Sequence, residues 1–221
     1  MKMEMPVMQG LADGERASPS APDLAIYRRL AIQLNHDMDG TSPPRSVIVA
    51  GPTDALASSH ASIALAGCMG EELRQRILLV DASPEAEITR MMGCSNEAGF
   101  SEMLHDPELA VDGLLLATTV ELVKLLPAGI LSGQPRRHAA ADPAELLRRL
   151  QPHADILVLA AGSVLNGSAA LALAPFASSV VLVPIEDQTL AEDLDAAHES
   201  LRMCKARRIG ILMASAARAR R

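Results

Sequence analysis

The sequence predicts an α/β fold in which a central, mostly parallel sheet is flanked by helices in three layers. Three observations carry that prediction. Five short runs rich in Val, Ile and Leu recur along the chain, at 46–50, 76–81, 155–160, 179–184 and 208–213. Helical patterns at 56–69, 84–92, 142–151, 166–174 and 188–206 separate them. The runs are apolar throughout rather than alternating, as strands buried on both faces are. Strands alternating with helices build right-handed βαβ units and hence parallel pairing.

The elements follow in order. Residues 1–22 are rich in Met, Gly, Ser, Pro and charge, which predicts a disordered N-terminal arm. Residues 23–40 predict a lead-in helix, with Leu24, Tyr27, Leu30, Ile32 and Leu34 at helical spacing between Pro22 and Gly40. "GTSPP" at 40–44 is a linker, and the α/β domain takes 45–214. The closing "KARRIGILMASAARARR" predicts a strand and then a basic tail, 215–221, that is solvated or drawn to an acidic membrane surface.

Composition narrows the function classes. Hydrophobic residues make up 49% of the 221, enough for a sizeable core, yet only Tyr27, Phe100 and Phe176 are aromatic. The net charge of −7 and the lack of stacking surface argue against a nucleic-acid partner. Cys68, Cys94 and Cys204 show neither a disulfide framework nor zinc spacing and suit a reducing cytoplasm. Residues 1–20 lack an apolar stretch of the signal-peptide kind. Ile156–Ile185 holds no charged side chain over 30 residues, but Asn166, Gly167, Ser168 and Pro175 interrupt it. Two buried strands with a crossover helix account for it better than a membrane span.

Ligands bind such sheets at the carboxyl ends of the strands, which directs attention to the tips after Val49, Val80 and Leu159. The first tip opens into "VIVAGPTDALASSHASI" (47–63), a strand, a turn at a glycine and a Ser- and Ala-rich helix. A phosphate-binding P-loop reads G-x-x-x-x-G-K-[ST]. Its second glycine lets the backbone wrap the phosphates, its lysine supplies charge and its hydroxyl holds Mg²⁺. Here Gly51 fits the first glycine, and Ser58 and Ser59 supply the hydroxyls. Leu56 stands at the second glycine and Ala57 at the lysine.

Five further stretches fall in the order of one known family. "RQRILLVDASP" resembles the "kVLLIDaD" strand of MinD/ParA-class ATPases. "AIYRRLAIQL", "NEAGFSEML", "LPAGILSGQPRRHAAADPAELLRRL" and "ADILVLAAGSVL" resemble "EayRtLRtnl", "n.pGLsdvL", "lpaG…nPaeLL" and "yDlViiDtPPvl". Those are segments of the bacterial tyrosine kinases and related ATPases that partner polysaccharide chain-length regulators. The resemblance covers roughly residues 24–190 and implies a P-loop NTPase-like fold.

The departures imply lost catalysis. Ala160 replaces the aspartate ending the Walker B strand, and "AAGS" at 160–163 replaces "DTPP". Ser83 replaces the second aspartate of the "DxD" pair, while Asp81 survives as the first. In the lead-in helix Arg28 remains, but Ala25 and Ala31 replace an oligomerising Glu and Arg. The kinases' C-terminal tyrosine cluster is missing, Tyr27 being the single tyrosine. Phosphoryl transfer rests on positioning and charge neutralisation, and losing one such contributor costs about 2.7–4 kcal/mol.

The resemblance therefore implies an inactive scaffold or regulator of exopolysaccharide or capsule polymerisation and export. No catalytic residue, metal or cofactor is expected. The implied location is cytoplasmic, at the inner face of the plasma membrane through a partner. That partner is the cytoplasmic segment of a membrane polysaccharide chain-length or export protein; a second copy or an active paralogue are further candidates. Arg28, Arg136 and Arg137 are candidate contacts. The alternative is a divergent but active ATPase, or a binder of another nucleotide, using ATP and Mg²⁺ with Arg136, Arg137 or a tail arginine in place of the lysine.

Other groups have plain readings beside chemical ones. Asp81 is either a Mg²⁺ or water ligand or a cap for the next helix; the missing lysine favours the cap. Ser58, Ser59 and His60 lack a nucleophile elbow, so the serines are expected to bond backbone at the helix start. The six histidines show no metal spacing and default to the surface. The "GQPRRHAAAD" loop is solvated, or meets an acidic partner or phosphate. Met91, Met92, Met203 and Met213 are expected as adaptable core filler.

Overall fold

The computed structural model describes residues 21–38, 45–130 and 142–215. The expected arm up to residue 20, the linker at 40–44, the loop bearing Arg136 and Arg137, and tail residues 216–221 lie outside the described residues. The chain enters through helix α1 (Ala21–Met38) and strand β1 (Arg45–Gly51). Next come α2 (Leu56–Leu73), β2 (Ile77–Asp81) and the short helices α3 (Glu87–Met91) and α4 (Phe100–His105). Strands β3 (Leu116–Ala117) and β4 (Val123–Leu126) precede α5 (Pro143–Leu150) and β5 (Ile156–Ser163). The chain continues through α6 (Ala169–Leu173), β6 (Ser179–Leu182), α7 (Ala191–Met203) and β7 (Ile209–Ile211).

Seven strands form one sheet in the order β3-β4-β2-β5-β1-β6-β7. Every pairing is parallel except β3 with β4. The uncharged stretch from 156 to 185 thus becomes β5, α6 and β6, with the two strands on either side of β1. Among the described residues no helix is long and apolar enough to cross a membrane.

The unbroken apolar runs have a simple cause. Val47 and Val49 of β1 enter a core on one face of the sheet, while Ile48 and Ala50 enter a second core on the other. Ile77 and Leu79 of β2, and Ile156 and Val158 of β5, face the first core; Leu78, Val80, Leu157 and Leu159 face the second. A strand covered on both faces has no polar side to show. Helix α2 is buried along most of its length because it lies between the sheet and α1. Its Ala61, Ala64 and Ala66 keep that layer thin. Arg28 of α1 binds Glu72 of α2 at 2.9 Å, Ala31 is fully buried against the first core and Ala25 is exposed.

Some sequence expectations need correction. The sequence patterns do not predict strands β3 and β4 or helix α4, and β5 runs on past residue 160 to Ser163. Met203 and Met213 are not core filler: they are 75% and 55% exposed, whereas Met91 and Met92 pack on the first core. The three cysteines are free, with Cys68 and Cys94 buried.

Candidate functional site

The adjacent strand order β2-β5-β1 brings three predicted positions to one edge of the sheet. Asp81 and Ala160 are register partners at the tips of β2 and β5, and Gly51 ends β1 beside Ser163. Gly51 must be glycine, because a Cβ there would lie 1.8 Å from the Asp54 carbonyl oxygen as the turn folds back. The turn then delivers Leu56, Ala57, Ser58 and Ser59 as the first residues of α2.

The N-terminus of α2 is served by the chain itself. Asp54 Oδ1 accepts the Ala57 N–H at 3.0 Å, a partner that a helix N-terminus offers to any anion. Leu56 is 47% exposed at the mouth of the turn. Ser58 Oγ donates to the Ala55 carbonyl at 2.9 Å and lies 3.4 Å from the Gly162 carbonyl. Ser59 departs from expectation: it is fully buried and its Oγ has no partner. His60 is exposed and its Nδ1 lies 3.0 Å from the Leu56 carbonyl, so serine and imidazole engage different groups.

The turn is clamped by the segment after β5. Val164 and Leu165 N–H groups donate to the Gly51 and Pro52 carbonyls at 2.9 and 3.0 Å. Ser163 Oγ adds a bond to Pro52 and Asn166 Nδ2 one to Thr53, at 3.1 and 2.9 Å. Four donors therefore fix its shape before any ligand arrives.

Asp81 is fully buried and organises the β2 tip. Its Oδ2 accepts from the Thr89 N–H at 2.8 Å and Thr89 Oγ1 at 2.7 Å, and its Oδ1 accepts from the Ser83 N–H at 3.3 Å. The Thr89 hydroxyl in turn accepts the Ala128 N–H at 2.7 Å, tying β2, α3 and the end of β4 together. The cap reading describes these bonds, since Thr89 lies in α3. Ser83 Oγ donates to Glu85 Oε2 at 2.8 Å. That same oxygen lies 2.6 Å from where a Cβ on Gly162 would be; Gly162 has φ +70°, the left-handed region that favours glycine.

Carboxylates thus dominate the strand tips: Asp54 at the turn, Asp81 beneath it and Glu85 before Gly162. Sequence reading missed Asp54, Glu85, Thr89 and Asn166. Asp54, three residues before the N–H it caps, carried a usable signal; Asn166 meets Thr53, Thr89 meets Ala128 and Glu85 approaches Gly162 only through tertiary contacts. Arg28 lies away from this edge in its pair with Glu72, and Arg136 and Arg137 lie outside the described residues.

No family model and no curated protein matches this chain. Solved structures do match it. The kinase domain of the Escherichia coli tyrosine kinase ETK aligns with TM-score 0.79 and 18% identity, over 96% of this chain and 82% of that one. The BceF tyrosine kinase domain aligns with TM-score 0.71 and 21% identity, over 93% and 86%. A plasmid partition protein from Borrelia burgdorferi aligns with TM-score 0.58 and 16% identity, over 79% of each chain. The chain has the P-loop NTPase fold, in the arrangement that these tyrosine kinase domains share.

Proposed function

We propose that this chain is a catalytically inactive, kinase-like P-loop protein that serves as a scaffold or regulator in exopolysaccharide or capsule polymerisation and export. The observation that carries the reading is the Asp54 carboxylate on the Ala57 N–H at 3.0 Å, in the turn where the resemblance puts a phosphate. A phosphate brought there meets a like charge, costing about 1–4 kcal/mol at 4 Å depending on the local dielectric. It finds no lysine at Ala57, and the exposed Leu56 side chain stands at the mouth. Ala160 offers Mg²⁺ no oxygen, and Asp81 is committed to Thr89 and Ser83. The residues present do not fit a magnesium nucleotide.

What the chain keeps is the framework. The fold supports a role beside the cytoplasmic segment of a membrane chain-length or export protein, with the chain held at the inner face of the plasma membrane by that partner. Self-association or pairing with an active paralogue would use the same framework. Deleting the gene in its host and sizing the exported polysaccharide tests this role. The expected result is altered chain length or yield, restored by the wild type and equally by a Ser58→Ala variant. Unchanged polysaccharide after deletion would contradict it.

A further inference from the structure

Strands β5, β1, β6 and β7 lie side by side and run parallel, so the chain leaves all four at one edge of the sheet. Each is followed there by one exposed large apolar residue: Leu165 after β5, Leu56 after β1, Leu190 after β6 and Met213 after β7. Backbone hydrogen bonds join these loops into one surface. The Leu165 N–H donates to the Pro52 carbonyl at 3.0 Å, in the turn that leads to Leu56. The Val183 N–H donates to Ala50 at 2.9 Å, and the Glu186 N–H to Ala214, next to Met213, at 2.8 Å. Exposed leucines are ordinary when scattered singly; a row along one edge marks an interaction surface.

Charge selects what can cover it. The stretches 52–56, 164–168, 183–190 and 212–215 carry Asp54, Glu186 and Asp187 and no Lys, Arg or His. All three carboxylates are exposed, and among the described residues none forms an ion pair. Asp187 sits on a backbone that is already fixed. Its φ of +59° lies in the left-handed region that Asp tolerates, and Thr189 closes the turn beneath it. The Thr189 N–H donates to the Ile185 carbonyl at 2.9 Å, and Thr189 Oγ1 accepts the Ile185 N–H at 2.8 Å. The basic residues Lys205, Arg207 and Arg208 precede β7 and so lie toward the opposite edge. A nucleic acid or an anionic lipid therefore meets like charge at this edge, and a second copy set edge to edge would oppose the same carboxylates. A segment that is both apolar and cationic is attracted on both counts.

We propose that the carboxyl edge from β5 to β7 is the docking surface for a short amphipathic helix of a partner protein, with leucine-type residues on one face and Lys and Arg beside them. Neighbouring strands lie about 4.8 Å apart and a helix advances about 5.4 Å per turn. A helix laid across the strand tips thus brings one apolar residue to each of Leu165, Leu56, Leu190 and Met213 in turn. Its cations meet Asp54, Glu186 and Asp187. The inference rests on the scaffold reading and gives it a surface. Gene deletion tests that reading and the titration below tests the surface, so either can fail while the other stands.

The fluorescein-labelled peptide Leu-Lys-Ala-Leu-Arg-Lys-Leu-Ala-Lys-Leu, titrated with the full chain at low salt, provides the test by anisotropy. The expected result is saturable binding, lost when serine replaces the peptide's leucines. Leu56→Ser/Leu165→Ser weakens it about tenfold by removing apolar contact. Glu186→Gln/Asp187→Asn, which keeps a residue that tolerates the left-handed turn, weakens it about fivefold. Glu71→Gln/Glu121→Gln removes as much charge from exposed positions at the opposite edge and leaves binding unchanged. Thermal melts by circular dichroism confirm that the variants fold; if the leucine pair does not, Leu190→Ser makes the same comparison. No saturable binding, or equal weakening by the opposite-edge variant, overturns the proposal. Peptide binding that appears only in an Arg218→Ala/Arg220→Ala/Arg221→Ala variant overturns it in favour of the chain's own tail. A dimer in sedimentation that Leu56→Ser/Leu165→Ser abolishes, without peptide binding, overturns it in favour of a second copy.

Discussion

Asp54 Oδ1 accepts the Ala57 N–H at 3.0 Å, which makes the chain's own carboxylate the cap of α2. Ala55, at the boundary of the helix, makes no side-chain cap bond of its own. Asp54→Ala should therefore cost about 0.5–2 kcal/mol in urea unfolding, and Asp54→Asn much less. An unchanged midpoint for Asp54→Ala would mean that the contact does not hold the turn.

Thr89 gives Asp81 two of its hydrogen bonds and receives one from Ala128. Thr89→Val keeps the shape and removes the hydroxyl, leaving a fully buried carboxylate short of a donor. The expected loss is about 1.5–3 kcal/mol, as for a hydrogen bond to a charged group. Thr89→Ser should retain most of the stability. Chemical denaturation of the two variants separates the hydroxyl from the packing of the methyl group.

Burial pushes the Cys68 and Cys94 thiols up to about 11, so neither forms much thiolate near neutrality. Cys204 is half-exposed. At pH 8 iodoacetamide should label Cys204 first, with the other two reacting only after denaturant is added. Peptide mass spectrometry over a time course reads the order directly, and early labelling of Cys68 would contradict the packing of α2.

Asp155 accepts from the Arg76 backbone N–H and guanidinium at 2.8–3.4 Å, and the side-chain bond to Arg76 holds its carboxyl below the ordinary aspartate range. A carboxyl lowered in the folded state adds stability above its unfolded pKa, and that stability is lost as pH falls through the folded value. Acidification from pH 5 toward 3 should therefore weaken the wild type more than Asp155→Asn. The pair is partly exposed, so the difference should shrink in high salt. Urea midpoints across that window check it.

The sequence disclosed the central strands because burial on both faces leaves an unmistakable mark in runs such as "ILLV" and "ILVL". It concealed β3 and β4 for the opposite reason: β3 has two residues, and exposed Lys124 breaks the apolar run of β4. Helix α4, with six residues, is too short for a 3.6-residue period to register. Met203 misled because residue type does not say which way an amphipathic helix turns its last residues.

At the strand tips, Gly51, Leu56, Ala57 and Ser58 could be located by counting along a motif, since the loop–helix geometry is local. Glu85 could not, because it reaches Gly162 only when β2 and β5 lie side by side.

With Asp54 on the Ala57 N–H and no lysine at position 57, the strand-tip turn is proposed to hold no nucleotide. Isothermal titration of the full chain with Mg-ATP and Mg-ADP measures this without reference to any partner. The expected result is no binding heat for either nucleotide at protein concentrations of about 100 μM, where micromolar affinities register clearly. Micromolar binding of either one, with hydrolysis that disappears in an Arg136→Ala/Arg137→Ala double variant, would contradict it and identify a divergent working ATPase.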